Sequence, residues 1–357
     1  MPLVAHSDLP TYRRLAEEGN DVLSVERAQR QEVRELHVGL LNMMPDAALQ
    51  ATERQFLRLI GASNRIAQFY VHPFTIDGVD RAGAARDHVE KHYEPFSDIE
   101  RDGLDALIIT GANVTEGNIT SERFWQPMVD VMDWASENVC SVYCSCLSSH
   151  GAFKHFYDID RYHLPRKQWG VYSHRVVDFS HPLFNGTNTR FDVPHSRFND
   201  VSDQHMEEVG LRVLASSDEA GVLCATSPDG LRFVYFQGHP EYDATSLLKE
   251  YKREVHRFAS GEIPAYPPFP EHYIPEEGQA LFNTYGQEMI SAADKHVLLA
   301  NFPETAVAEL IDNTWSDTAK AVFNNWLGLV YQYTDWDRRV PFMPGVNPND
   351  PLGLGLR

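Results

Sequence analysis

The sequence predicts an α/β protein built on a doubly wound, mostly parallel sheet with helices on both faces. Three observations carry that reading. Short apolar runs of strand length recur along the chain: HVGLLNMM (37–44), RIAQFYVHPF (65–74), LDALIITGAN (104–113), NVCSVYCS (138–145) and LRFVYFQG (231–238). They are largely continuous rather than alternating in polarity, as expected of strands buried on both sides. Amphipathic stretches separate them, and no repeat of fixed period is evident.

Each element has its own signal. Pro45 follows the first run and opens a helical pattern to about Gly61, with Leu49, Phe56, Leu57 and Ile60 at helix-compatible spacings. The second run is β-branched and aromatic ahead of a turn-rich stretch. The third ends in Thr110-Gly111 and enters a loop. The fourth leads into LSSHGAFKHFYDI, which reads as a helix, and the fifth into a helix from about Ala244 to Phe258. Residues 157–230, rich in His, Pro and Asn, are expected to pack over the sheet as loops and short strands. AVFNNWLGLVYQY (321–333) reads as a late buried helix, and the Pro- and Gly-rich 340–357 as a poorly ordered tail. No Ser/Gly-rich linker divides the chain. Residues 1–339 therefore read as one domain with an N-terminal extension and a loop-rich insertion.

Composition narrows the function. The 357 residues are 43% hydrophobic and 23% charged, a globular balance. There are 51 acidic against 31 Lys and Arg residues, a net charge of −20, which repels phosphate backbones and anionic lipid. Nucleic acid and membrane surfaces are thereby excluded as expected partners. No stretch reaches the ~18 apolar residues of a membrane span. MPLVAHSDLPTYRRLAEEGN shows no secretory pattern, so a cytoplasmic protein with reduced thiols is expected. Four cysteines do not make a disulfide scaffold. Three of them, Cys140, Cys144 and Cys146, lie within seven positions and need another explanation.

Ligands of a parallel sheet bind outside the carboxyl ends of its strands. Cys146 sits where an apolar run meets a helical pattern, with small residues two positions either side (Cys144 and Ser148), as a sharp nucleophile elbow requires. A thiolate there is stabilised by the unpaired N–H groups of the helix start. The N–H of Leu147, with an amide from the Thr110-Gly111-Ala112 loop, could form an oxyanion hole. The bland reading of Cys146 is a small buried hydrophobe. A metal or redox centre on Cys140, Cys144, Cys146 and His150 is a second rival, which the lack of a paired C-x-x-C disfavours. Gly238-His239-Pro240-Glu241 occupies another strand end, where Gly238 permits the turn and Glu241 can hold the imidazole in one tautomer. Cys146, His239 and Glu241 fit one another as a triad, with no metal assigned to it.

A thiol elbow followed by H-x-E resembles the class I glutamine amidotransferase (flavodoxin-like) fold. The fuller resemblance is to the homoserine O-succinyltransferase family of homoserine O-acyltransferases. It runs through MPLVAHSDLP, LLNMMPDAALQATERQFLRLIG, DALIITGAN, the Cys146 elbow, LPRKQWGVYSH, VPHSRFND, GHPEYDA and FNNWLGLVYQY, roughly residues 1–335. It implies that Cys146 carries the acyl thioester, His239 is the base and Glu241 its partner. Lys167, Ser196 and Arg253 match substrate-binding positions, and Thr115 the position that sets acyl-donor choice. The implied co-substrates are succinyl-CoA or acetyl-CoA and L-homoserine, with no cofactor and a homodimeric assembly. A small neutral Thr115 favours succinyl, and L-serine as acceptor stays open. The chain departs from the family at its elbow, Cys146-Leu147-Ser148-Ser149-His150-Gly151 in place of C-W-A/G-x-Q-A, and at Asn113 in place of a proline. A glutamine amidotransferase-like thiol hydrolase and a non-enzymatic thiol or metal module are the remaining readings. Arg166, Lys167, Lys249, Lys252 and Arg253 are expected to form a small basic mouth near the thiol.

Overall fold

The computed structural model describes residues 3–63 and 67–355. Its strands are β1 (Leu3–Ala5), β2 (Val22–Ser24), β3 (Glu35–Leu41), β4 (Gln68–Phe74), β5 (Ala106–Ile109), β6 (Ser141–Ser145), β7 (Tyr162–Val176), β8 (Arg190–Asp200), β9 (Arg212–Ser217), β10 (Gly221–Thr226) and β11 (Phe233–Phe236). They form one 11-stranded sheet in the order β2-β1-β4-β3-β5-β6-β11-β10-β9-β7-β8. From β2 to β11 every neighbour is parallel. From β11 to β8 every neighbour is antiparallel. The five apolar runs of the sequence are β3, β4, β5, β6 and β11; the expected start of the second run, at 65, lies outside the described residues.

Side-chain alternation along β6 shows why both faces are covered. Val142 and Cys144 enter one apolar layer with Met128 and Met132 of helix Trp125–Asn138 and Phe153 of helix Leu147–Tyr157. Tyr143 enters the opposite layer with Phe56 of helix Leu49–Ala62 and Phe323 and Trp326 of helix Ser316–Tyr333. Fully burying such a side chain stabilises the fold by roughly 1.5–3 kcal/mol. The Trp326 indole also donates to Ser141 Oγ at 2.8 Å, so its one polar atom is satisfied. Among the described residues no helix is long and apolar enough to cross a membrane.

Two expectations are corrected. Residues 157–230 do not lie over the sheet but extend it, because β7 and β8 form a long antiparallel pair in which Trp169 faces Ser196 and Gln168 faces Arg197. The pairing is irregular between His163 and Gln168, around Pro165, so the stretch loses the alternation by which strands are recognised. The tail is packed as far as residue 355, its last two residues lying outside the described set. Phe342 is buried against the helix Ser316–Tyr333 layer, Leu352 packs on the same layer, and Arg212 Nη1 donates to Gly355 O at 3.1 Å. Its prolines and glycines shape turns rather than loosen the chain. A third apolar cluster, unassigned from sequence, joins Trp169 and Val171 of β7 to Tyr251 of helix Ser246–Ala259 and Phe282 of helix Glu276–Ser291.

Candidate active site

β6 and β11 are adjacent and in register, with Ser145 beside Phe236, so two strand ends deliver their loops to one place. At the end of β6 the chain turns into helix Leu147–Tyr157 through Cys146, whose backbone is φ 53°, ψ −107°. A non-glycine residue with positive φ is strained, and such strain persists only where neighbours over-determine it. Here the Cys146 N–H donates to Phe236 O at 2.6 Å, and Cys146 O accepts the Ser149 N–H at 3.0 Å. Ser148 Oγ donates to Ile109 O at 2.7 Å and Ser149 Oγ to Cys144 O at 2.9 Å. These hydroxyls tie the elbow to β5 and β6. His150 is buried, bonded to Gln237 Oε1 at 2.8 Å, and burial lowers its pKa to about 3, keeping it neutral.

Cys146 is part-exposed, unlike the other three thiols. Burial raises the pKa of Cys140, Cys144 and Cys224. Cys140 and Cys144 enter opposite apolar layers, so they do not converge with Cys146 and His150 on a metal.

The loop after β11 carries the imidazole. The His239 N–H donates to Pro194 O at 2.8 Å, and His239 Nδ1 is 2.8 Å from Glu241 Oε1. Burial alone would lower the His239 pKa. The charge of Glu241, the charge and hydrogen bond of Cys146, and the Glu241 bond outweigh it and raise the pKa well above 6.5. His239 is thus bonded to Glu241, and the Cys146 thiol lies close enough to act on the same ring. Gly238 does not serve as expected, because its φ is not positive. It supplies space: a Cβ there would lie 2.8 Å from His195 Nε2 and 2.9 Å from both Leu223 Cδ1 and Val193 Cγ1.

Gly111, after β5, faces the elbow, and a Cβ on it would lie 3.8 Å from Cys146 Cβ. Leu147 follows the thiol as the first residue of the helix, and Ala112 follows Gly111 in the loop after β5. Thr115 lies further out and exposed. Glu122 accepts the N–H groups of Thr115 and Glu116, each at 2.7 Å, which fixes that loop. A cavity of about 290 Å³ beside it is lined by Met43, Ala112, Thr115, Glu122 and Phe124.

The residues matched to substrate binding converge on a group that sequence reading missed, Glu250. Its Oε2 accepts from Ser196 Oγ at 2.6 Å and Lys167 Nζ at 3.3 Å, and its Oε1 accepts from Tyr242 OH at 2.9 Å. Burial opposes ionisation of Glu250. Lys167, the Ser196 and Tyr242 bonds and Arg253 outweigh it and hold the carboxyl below its usual range. Burial lowers the Lys167 pKa, partly offset by Glu250, and its ammonium lies 4.2 Å from the Trp169 ring centroid. Tyr242 stacks on the His239 ring, centroids 4.4 Å apart, so this cluster is continuous with the triad. Arg253 is half-exposed and acts electrostatically on Glu250 and Lys167. The wider basic mouth does not form, because Arg166 is exposed and paired with Glu271, Lys252 is paired with Glu304, and Lys249 is exposed. A second missed residue is Arg161, half-buried and in electrostatic contact with Glu122 and Cys146. One sequence signal for Glu250 existed: it lies three residues before Arg253, one helical turn, on the same helix.

The homoserine O-succinyltransferase family model matches residues 2–336. The chain is 59% identical over 354 residues to a homoserine O-succinyltransferase of Methylococcus capsulatus, spanning 99% of this chain and 100% of the relative. It is 56% identical to one of Allochromatium vinosum, spanning 99% of each. Among solved structures it is similar to a glutamine amidotransferase from Thermotoga maritima, at 12% identity and TM-score 0.41 over 84% of this chain and 98% of that one. A glutamine amidotransferase from Methylobacillus flagellatus gives 13% identity and TM-score 0.41 over 83% and 95%. With a family model spanning almost the whole chain and full-length relatives above half identity, the chain belongs to the homoserine O-succinyltransferase family.

Proposed function

We infer that this chain transfers the succinyl group of succinyl-CoA to the γ-hydroxyl of L-homoserine through a thioester on Cys146. The observation that carries the mechanism is the junction of Cys146, His239 and Glu241 at two adjacent strand ends, continuous through Tyr242 with the Glu250 cluster. The Cys146 thiolate attacks the thioester carbonyl, and the negative charge moves to the carbonyl oxygen, facing the N–H groups of Leu147 and the Gly111-Ala112 loop. Each such donor is worth roughly 3 kcal/mol in the transition state. The intermediate collapses, and CoA leaves as a thiol with the proton held by His239. His239, neutral again, takes the hydroxyl proton of homoserine as its oxygen attacks the acyl-cysteine. Collapse of the second intermediate returns the Cys146 thiolate. Glu241 keeps the imidazole oriented throughout.

The acceptor's charges have matching groups. Glu250 offers a carboxylate to the amino group, and Arg253 and Lys167 offer cations to the carboxylate. At the donor end, Arg161 is near enough to Cys146 to act on it electrostatically and suits a distal succinyl carboxylate, which acetyl lacks; Thr115 adds neither charge nor bulk there. Thioester exchange needs no group beyond the thiol, the imidazole and the acyl-CoA, so no cofactor is proposed. A homodimer in the cytoplasm is proposed on the family resemblance, and light scattering on the purified chain tests the assembly.

The test is intact-protein mass spectrometry after mixing with succinyl-CoA alone. A succinyl adduct lost in Cys146→Ser, and discharged by L-homoserine but not by water at the same rate, supports the scheme. Absence of an adduct even in His239→Ala refutes covalent catalysis at Cys146. Faster labelling by acetyl-CoA than by succinyl-CoA would instead assign an acetyl donor.

A further inference from the structure

A second polar cluster lies on the sheet away from the thiol, where β1, β4 and β3 run side by side. His6 follows β1, His72 is on β4, His37 is on β3, and Glu94 runs alongside the end of β4, its N–H donating to Pro73 O at 2.9 Å. The His6 and His72 rings are 4.9 Å apart, and the His37 ring stacks on His72 at 5.1 Å. The proposed reaction uses none of these residues.

The hydrogen bonds assign the protons. Arg338 Nη1 can only donate, and it contacts His37 Nδ1, so that nitrogen is bare. His72 Nε2, 2.9 Å from the same nitrogen, must therefore carry a hydrogen. A neutral His72 then presents a bare Nδ1 to Glu94 Oε1 at 2.8 Å, lone pair against lone pair. That contact requires a cation. His6 adds a third bare donor, because its Nε2 hydrogen is spent on Val71 O at 3.0 Å and Nδ1 is left free. One ligand atom from each of His6, His72 and Glu94 lies within 4.8 Å of the others. A proton would satisfy only the His72–Glu94 pair; a metal ion satisfies all three.

We propose that His6, His72 and Glu94 bind a divalent transition-metal ion of the zinc class that clamps the N-terminal strand to β4. Two imidazoles and a carboxylate suit such an ion, with water completing a tetrahedron. Its donors stand about 2.0–2.1 Å from zinc, and rotation of the partly exposed His6 and Glu94 side chains brings them in. His37, hydrogen-bonded to His72 Nε2, orients that ring from behind, as partners of ligating histidines do.

The experiment titrates Zn²⁺ against a chromogenic chelator with the EDTA-stripped full chain, alongside His6→Ala, Glu94→Gln and Cys146→Ser. Expected are one equivalent bound per chain, a loss of at least tenfold in affinity in His6→Ala and Glu94→Gln, and none in Cys146→Ser. Zn²⁺ should raise Tm in the parent chain and not in Glu94→Gln, a variant mild enough to fold; Co²⁺ should give the absorption of a tetrahedral site. No uptake, uptake unchanged in both ligand variants, or uptake lost only in Cys146→Ser would each overturn the proposal. So would a His72 imidazolium that persists in NMR spectra at saturating Zn²⁺.

Discussion

Gly238→Ala separates space from conformation beside the imidazole. The added methyl would lie 2.8 Å from His195 Nε2 and 2.9 Å from Leu223 Cδ1 and Val193 Cγ1, where ordinary contacts are 3.4–4 Å, so each neighbour must yield by half an ångström or more. None is free to do so. His195, Leu223 and Val193 are buried, and His195 is bonded to His174 at 3.1 Å. Overpacking of this kind costs about 1–3 kcal/mol, which lowers Tm by roughly 1–4 °C in a chain of this size. The same methyl pushes on the loop whose His239 N–H is bonded to Pro194 O, and a displacement approaching 1 Å costs roughly 10²-fold in rate. Gly111→Ala is the control. Its methyl meets nothing nearer than 3.7 Å and its φ is not positive, so Tm should hold within half a degree while kcat falls, because the methyl enters the proposed oxyanion position. Thermal unfolding by circular dichroism and kcat/KM with succinyl-CoA and L-homoserine decide it. Parental Tm and activity in Gly238→Ala, or matched Tm losses in both variants, would refute the packing argument.

Cys146→Gly should unfold at higher temperature than Cys146→Ala although both are inactive, because glycine relieves the positive φ; strain of about 1–3 kcal/mol less glycine's backbone entropy leaves roughly 1 kcal/mol, measurable by denaturant titration. His239 has a pKa raised above 6.5, so its contribution to stability is full below that value and lost as pH rises through the folded value. Glu241→Gln should flatten that loss in pH-dependent denaturation and move the acid limb of the acyl-discharge step to lower pH, while lowering its rate. Glu250→Gln keeps shape and removes charge; losing charge-assisted bonds worth about 1.5–3 kcal/mol should raise the KM for L-homoserine roughly 10- to 150-fold and leave labelling by succinyl-CoA alone nearly unchanged. Arg161→Leu should do the reverse, slowing labelling by succinyl-CoA more than by acetyl-CoA in stopped-flow comparison.

The parallel half of the sheet was legible because β3, β4, β5, β6 and β11 are buried on both faces and must be apolar throughout. The elbow and the imidazole loop were legible for the same reason, since they follow directly from strands of that kind. The β7–β8 pair was not. Its outer residues include His163, Pro165 and Arg166, and its register is broken near Pro165, so neither alternation nor apolarity marks it. Lys167 and Ser196 became neighbours of Glu250 only through that pairing, and sequence separation hides it. Glu250 itself stands among Lys249, Lys252 and Arg253 in a strongly amphipathic helix, where a carboxylate reads as a solvated surface charge. Tertiary contact made it a buried acceptor. Gly238 shows the converse: a glycine ahead of a proline reads as a turn residue, and only the packed neighbours reveal that it is small for their sake.

The strand order also sets a schedule for the chain during its synthesis. β6 needs β11 as a neighbour, yet roughly 90 residues separate Ser145 from Phe233, and at ~5–20 residues per second they take about 5–20 s to emerge. Through that interval Val142, Tyr143 and Cys144 sit on an unpaired edge, exposed to other nascent chains. Cys146 is carried through the same interval without the imidazole proposed as its base, since His239 arrives only behind β11. The thiol therefore gains its partner in the same event that closes the sheet, and an incompletely folded chain is poorly reactive toward acyl-CoA as well as prone to strand-edge association.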